Sequence, residues 1–306
     1  MKISLIQMNS QPSRSHNLAQ AERLMVEAML DSPDLIVLPE HFDWTGGTPE
    51  DKRGAADWVP GGEAYGMIQR FAAKHRVWVH AGSLLERIAG SERIHNTTIV
   101  FDDRGEEVGL YRKIHLFDIV APDGKEYLES ATVAPGDQLL VYELNGFRIA
   151  CCICYDLRFS RLFDRLAAYG VDVFILPAAF TEQTGKDHWA VLCRARAIEF
   201  QAYMVACGQC GSYEAPGREL RRTFGHSMVC DPWGMVVAEV GDDPGVLSTV
   251  IERARLDEVR SWIPMVAHRA DLQGMRVKVA QAVGKSGTAE VAPAHVSASS
   301  TLTSSM

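Results

Sequence analysis

Cys154, Lys113 and Glu40 each stand where a run of strand-like, apolar residues ends. Together a thiol, an ammonium and a carboxylate could cleave an amide or a nitrile. The thiol attacks carbon, the carboxylate takes its proton and returns it to the leaving amine, and the ammonium holds the developing oxyanion. Spacing alone does not prove this, because only a fold can gather three strand ends. Cys154 has the strongest local argument. The β-rich run Arg148 to Cys154 is apolar on both faces, as a strand buried in a stack of sheets must be. Asp156 can then cap a helix carrying Leu162, Phe163 and Leu166 at helical spacing. A cysteine at that junction projects from the sheet beside free backbone N–H groups, which favour a thiolate and later an oxyanion. The competing reading of a lone cysteine is a buried apolar one, and Cys151 and Cys152 are read that way.

Glu40 follows the apolar strand Leu35-Ile36-Val37-Leu38-Pro39. There it either caps a neighbouring segment or is held beside the site. His41, His115, His188 and His226 compete with it, by residue type, as the base for Cys154. Arg196 and Glu199 are three apart on a helix and read as an ion pair. Arg158 either braces the turn after Cys154 or meets a carboxylate.

The elements that must position these residues alternate along the chain. Strands are expected at 2–9, 35–39, 77–83, 96–101, 107–111, 148–154, 171–176, 203–207, 227–230, 235–240 and 246–251. Helices are expected at 17–30, 62–75, from Asp156 to about Gly170, at 187–200 and at 256–262. Asp102-Asp103-Arg104-Gly105 and Asp231-Pro232-Trp233-Gly234 read as turns. The segments 43–61, 118–136 and 181–187 read as loops that shape a binding site. About a dozen strands and five interleaved helices imply an α/β fold of two sheets with helices outside them. Residues 1–272 form the expected domain; 273–306 form an extension, rich in Ser, Thr, Ala, Gly and Pro and flexible from about 284.

With 306 residues, 47% hydrophobic and 23% charged, the chain can bury a large core as a soluble globular protein. A net charge of -8 argues against a nucleic-acid partner. No apolar run is long enough to span a membrane, and Met1 leads straight into a strand with no signal peptide. Seven scattered cysteines, an odd number, argue against a disulfide framework and for a reducing cytoplasm. In that compartment the sequon Asn96-Thr97-Thr98 carries no weight.

Three motifs make the chain recognisable: Leu38-Pro39-Glu40, Tyr111-Arg112-Lys113-Ile114-His115-Leu116-Phe117-Asp118, and Ile153-Cys154-Tyr155-Asp156-Leu157-Arg158-Phe159. In content and order they resemble those of the nitrilase superfamily of carbon–nitrogen hydrolases. The similarity continues through Gly185, His188-Trp189, the stretch Arg194 to Glu199 and Gly225-His226-Ser227-Met228, and covers about residues 2–272. The resemblance implies a four-layer α-β-β-α sandwich, a homodimer or larger homo-oligomer, and a thioester intermediate without metal or organic cofactor. By motif match it implies Glu40 as general base, Lys113 as transition-state cation and Cys154 as nucleophile. Glu129, in Tyr127-Leu128-Glu129-Ser130, matches a second glutamate expected to hold Lys113 and the attacking water. The Tyr155 N–H is the matching oxyanion donor.

The branch that looks most similar is that of the Nit-type amidases, which implies hydrolysis of a small carboxamide, such as the ω-amide of a 2-oxo acid, to carboxylate and ammonia. Deaminated glutathione, nitriles and N-carbamoyl amines are alternative substrates for the same site. Ala270-Asp271-Leu272-Gln273 departs from the family's usual basic, proline and tyrosine ending, which puts the dimer interface in question rather than the chemistry. Other classes fare worse. The pairs Cys151/Cys154 and Cys207/Cys210 have zinc-like spacing, but side chains three apart on a strand point to opposite faces. Gly284-Lys285-Ser286 resembles the end of a phosphate loop but lacks the first glycine, where Val279 stands. An inactive hydrolase scaffold that only binds is the non-enzyme alternative.

Overall fold

The computed structural model describes residues 1–121, 124–215, 217, 219–270, 272, 275 and 276. The first part of the chain holds β1 (Lys2–Gln7), α1 (Arg14–Ala28), β2 (Leu35–Val37), α2 (Pro49–Ala55), α3 (Glu63–His75), β3 (Trp78–His80), β4 (Leu84–Arg87), β5 (Ile94–Phe101), β6 (Glu107–Arg112), β7 (Asp118–Val120) and β8 (Glu126–Leu128). Then come β9 (Val141–Leu144), β10 (Phe147–Cys151), α4 (Ser160–Ala167), β11 (Val173–Ala178), α5 (Glu182–Phe200), β12 (Tyr203–Gly208), β13 (Cys210–Ala215) and β14 (Glu219–Phe224). The last are β15 (Met228–Cys230), β16 (Val236–Glu239), β17 (Gly245–Val250), α6 (Arg253–Trp262) and α7 (Met265–His268). Met1–Ile263 form one compact unit, and α7 belongs to a second that begins at Pro264.

Period-two hydrophobicity decides the layering. On β1 and β2, Ile3, Leu5, Leu35 and Val37 share a core with Ile149, Ile175 and Val205 of the second sheet. The alternate residues Ile6, Ile36 and, beyond the strands, Met8 and Leu38 pack instead on Leu18 and Leu24 of α1 and Ile68 and Phe71 of α3. The outer face of the second sheet is covered by Leu162, Phe163 and Leu166 of α4 and by Trp189 and Phe200 of α5. Strands β2 and β11, buried on both faces, thus read as unbroken apolar runs, and the result is the expected α-β-β-α order.

One sheet runs β17-β1-β2-β3-β5-β4, with β6 on β5; the other runs β16-β15-β12-β11-β10-β9. Each has three parallel strands at its centre, β1-β2-β3 and β10-β11-β12. Glu40 follows β2, Cys154 follows β10 and Ala179 follows β11, so all three lie outside the carboxyl ends of parallel strands, where α/β sheets bind ligands.

The structure corrects several local expectations. The strand expected to reach Cys154 ends at Cys151, and the helix expected at Asp156 begins at Ser160; a 3-10 turn, Cys154–Arg158, stands between them. The loop 43–61 contains α2, announced by a capping box between Thr48 and Asp51 with Pro49 at the first helical position. The segment 118–136 contains the β7–β8 hairpin. Helix α5 starts at Glu182 because Thr181 caps it, its hydroxyl accepting from Thr184 N. The described residues hold seventeen strands rather than about twelve. Strands β13 and β14 escaped because they form a separate two-stranded sheet and carry polar residues on both strands. The expected tail from about 284, Gly284-Lys285-Ser286, and Asp271 and Gln273 of the departing end lie outside the described residues.

Candidate active site

Glu40 is fixed by backbone geometry on both sides. Gly82, with φ +51, follows β3; a Cβ there would meet Pro39 O at 2.1 Å, so only glycine lets the two segments approach. The next residue, Ser83, then pins the chain: its N–H donates to Pro39 O, its hydroxyl accepts from His41 N at 3.0 Å, and its carbonyl accepts from Phe42 N. Gln209 Nε2 donates to Glu40 O at 2.9 Å. The carboxylate that results is 2% exposed. Its Oε1 accepts from Lys113 Nζ and from Asn96 Nδ2, both at 2.9 Å, and its Oε2 accepts from Ala179 N at 2.8 Å.

Lys113 is equally buried and bridges two acids. Its Nζ donates to Glu40 Oε1 at 2.9 Å and to Glu129 Oε2 at 2.9 Å. Glu129 Oε2 also accepts from Phe117 N at 2.7 Å. Burial by itself would lower the pKa of Lys113. Glu129 and then Glu40 outweigh that and hold the ammonium pKa well above its ordinary value. For Glu40, burial pushes the pKa up, but Lys113 prevails, with smaller help from His41, and brings it down to about 2. The resting pair is therefore carboxylate and ammonium.

Cys154 opens the 3-10 turn with φ +46, the left-handed region that a non-glycine residue enters only when its surroundings hold it there. Buried Asp156 does that holding. It accepts from Ile153 N at 2.9 Å, from Tyr111 Oη at 2.7 Å, and from both the N–H and Nδ1 of His115 at 3.1 and 2.7 Å. Since His115 lies two residues after Lys113, Asp156 ties the lysine segment to the thiol turn. Arg196 Nε also braces the turn, donating to Leu157 O at 3.1 Å. The thiol lies beside the Glu40 carboxylate and the Ala179 N–H. Burial, reinforced by Glu40, raises its pKa well above that of a free thiol, so the resting group is SH.

Glu40, Lys113, Glu129, Cys154 and Tyr155 all line one cavity of about 190 Å³. The three segments expected to shape it supply walls, through Trp44 to Gly47 with Lys52, Glu126 to Leu128, and Thr181 with Thr184, and Phe180 lies just before the last of them. A fourth wall, Tyr213, Ala215 and Arg221 to Thr223 of the β13–β14 hairpin, was not foreseen. Of the four histidines considered as bases, only His41 lines the cavity; its Nε2 lies 3.8 Å from Glu40 Oε1 and burial lowers its pKa. His115 is held by Asp156, His188 Nδ1 lies 3.3 Å from Arg158 Nη1, and His226 sits between Glu239 and Asp242. Arg196 does pair with Glu199, at 2.9 Å. Arg158 lies over the rings of Tyr155 and Phe180.

Glu40, His41 and Glu129 offer potential metal-ligand atoms within 4.8 Å of one another. The Lys113 ammonium already bridges the two glutamates and provides the positive charge a metal would bring. Two contributors escaped the sequence reading. Asn96 Nδ2 contacts both Glu40 and Glu129, and its only signal was a polar Asn-Thr-Thr run inside an otherwise apolar strand. Ala179 acts through its backbone, which leaves no residue-type signal. The assembly can deliver a proton-coupled thiol to a carbon whose oxygen faces an ammonium.

A family model described as carbon–nitrogen hydrolase matches residues 2–261. The chain is 39% identical over 267 residues to a deaminated glutathione amidase of Synechocystis, covering 86% of this chain and 96% of that one. It is 35% identical to an omega-amidase, NIT2-A, of Xenopus laevis, covering 88% and 94%. Among solved structures it is similar to Nit3 of Saccharomyces cerevisiae, a member of branch 10 of the nitrilase superfamily. That match has a TM-score of 0.76 at 27% identity and covers 87% of this chain and 94% of the yeast one. A match over most of the length, on a sandwich whose strand ends gather a thiol, two carboxylates and an ammonium, means that the chain belongs to the carbon–nitrogen hydrolase family within the nitrilase superfamily.

Proposed function

We propose that this carbon–nitrogen hydrolase cleaves a small carboxamide, the ω-amide of a 2-oxo acid or a relative such as deaminated glutathione, by way of a Cys154 thioester. The observation that carries the reading is the convergence of Cys154, Glu40 and Lys113 from three separate strands into one cavity. As Sγ attacks the amide carbon, its proton passes to Glu40. The oxyanion forms between the Lys113 ammonium and the Tyr155 N–H. The C–N bond breaks and nitrogen leaves with the proton from Glu40. Water, oriented by Glu129 and deprotonated by Glu40, then attacks the thioester, releasing the acid and the thiol. The net charge of the Glu40–Lys113–Glu129 cluster with the thiol is the same before and after the first proton shift, so a buried site can carry it out without gaining charge. The names of the relatives support both amide classes.

The test is product release from 2-oxoglutaramate, deaminated glutathione, an aliphatic nitrile and an N-carbamoyl amino acid, with Cys154→Ala alongside. Turnover of one of the first two, lost in the variant, is expected. Retained activity in the variant, or turnover of the nitrile alone, would overturn the reading.

The same reading extends to assembly and compartment. Trp233 and Trp262 are half exposed and meet edge to face at 5.4 Å, beside exposed Ile198 of α5. That apolar face supports a homodimer or larger homo-oligomer, which the mass in solution tests. All seven cysteines are free thiols, which supports a cytoplasmic setting. Among the described residues no helix is long and apolar enough to cross a membrane.

A further inference from the structure

The cavity contains a cation that the chemistry above does not use. Lys52 lies on α2, half-buried, and lines the cavity with the thiol. Helix α2 is clamped at both ends. The Thr48–Asp51 capping box holds its start. Arg14 bonds Ala55 O at its end and pairs with Asp57 at 2.9 Å and Asp43 at 3.3 Å. Lys52 is thus presented by a fixed element rather than a wandering loop. Its ammonium has no ion-pair partner among the described residues. The carboxylates that act on it, Glu129 and Glu40, are already held by Lys113. Burial, with Arg221 and Lys113 adding to it, lowers its pKa against the pull of Glu129. A desolvated cation without a counter-ion gains from any anion brought to it. The other basic groups of the cavity are better served. Arg221 pairs with Glu219 and Arg222 with Glu182, and Arg158 rests on two aromatic faces and His188.

The geometry points to Lys52 as a carboxylate anchor, recognising a negatively charged group at the end of the substrate remote from the scissile amide. This rests on Cys154 being the nucleophile of the same cavity. On the proposed reading the ω-amide substrate carries such a carboxylate, and Lys52 is the residue that makes it preferred over an uncharged amide of equal length. Binding energy from the remote carboxylate would place the amide carbon over the thiol.

Glutaramate and valeramide differ by this one group and provide the test. Wild type should favour glutaramate in kcat/KM. In Lys52→Met that preference should fall about 10- to 100-fold, chiefly through KM, as expected when one partner of a desolvated charge pair is removed. Lys52→Arg should recover part of it. An equal loss on both amides would make Lys52 merely structural. An unchanged preference in Lys52→Met, with the loss appearing in Arg158→Gln, would move the anchor to Arg158. Both outcomes overturn the proposal. If neither amide turns over, protection of Cys154 from iodoacetamide by glutarate reads the same anchor. Protection in wild type and its loss in Lys52→Met support it, and no protection in wild type overturns it. A Cys154 that does not react with iodoacetamide at all would sink the nucleophile assignment, and the anchor with it.

Discussion

The side-chain amide of Asn96 donates to Glu40 Oε1 at 2.9 Å, and the same nitrogen reaches Glu129 Oε1 at 3.4 Å. One neutral donor therefore helps Lys113 keep two carboxylates in place without adding charge. Asn96→Ala should lower kcat about 10- to 100-fold, the range for losing a hydrogen bond to a charged group. Steady-state kinetics with Tm alongside checks this; unchanged kcat with a lower Tm would leave Asn96 a purely structural residue.

Lys113 is shared by two acids, so its removal acts on stability as well as on rate. Lys113→Met leaves Glu40 and Glu129 buried together without their shared cation, at a cost of about 3–5 kcal/mol in stability. Adding Glu129→Gln removes one of the two charges and should recover part of the lost stability, but not kcat. Chemical unfolding of the single and double variants measures this. A double variant no more stable than the single one would mean that the carboxylates do not repel there.

The pH dependence of Glu40 has a definite sign. Its folded pKa of about 2 lies below the ordinary 4.5, so its ionised form stabilises the fold. That contribution is fully present above about pH 4.5 and is lost as pH falls towards 2. The stability gap between wild type and Glu40→Gln should therefore shrink on acidification below about pH 4.5. An acid limb in kcat/KM between pH 5 and 7 should belong to another group, because Glu40 is already ionised there. Urea unfolding of both proteins from pH 6 to 3 decides the first point; a gap that widens on acidification contradicts it.

Asp43 has the opposite sign. Burial outweighs Arg14 and raises its pKa to about 7, and its Oδ1 has no hydrogen-bond partner. In the folded protein it keeps a proton that the unfolded chain has released, so stability falls as pH rises from about 4 to 7. Asp43→Asn mimics the protonated acid. Its Tm relative to wild type should be higher at pH 8 than at pH 5, and equal differences at the two pH values would place Asp43 in a solvated setting.

Much of the site was legible because its chemistry resides in side-chain types that stand at strand ends. Glu40, Lys113 and Cys154 stand at strand ends in the sequence, Glu129 enters by its match to the family motif, and all four line one cavity. The two-sheet layering was legible as well, because Leu35, Ile36 and Val37 leave no polar face on β2, as a strand covered on both sides requires. Asn96 and Ala179 were not legible. One was hidden in a sequon, and the other contributes a backbone N–H that any residue except proline could supply.

What the sequence by itself determined is the set of reactive groups, the alternation that stacks two sheets between helices, and the family. Each is encoded locally, in residue type, period or motif. Only the tertiary structure decided the states of those groups. That the thiol rests as SH, that Glu40 rests ionised, and that Lys113 is shared between two acids follow from burial and from distances of 2.9 Å between residues far apart in the chain. The fourth wall, the clamp on α2 and a Lys52 without an ion-pair partner among the described residues arise in the same way. Charge compensation is a property of what surrounds a group in space, and no linear spacing specifies it.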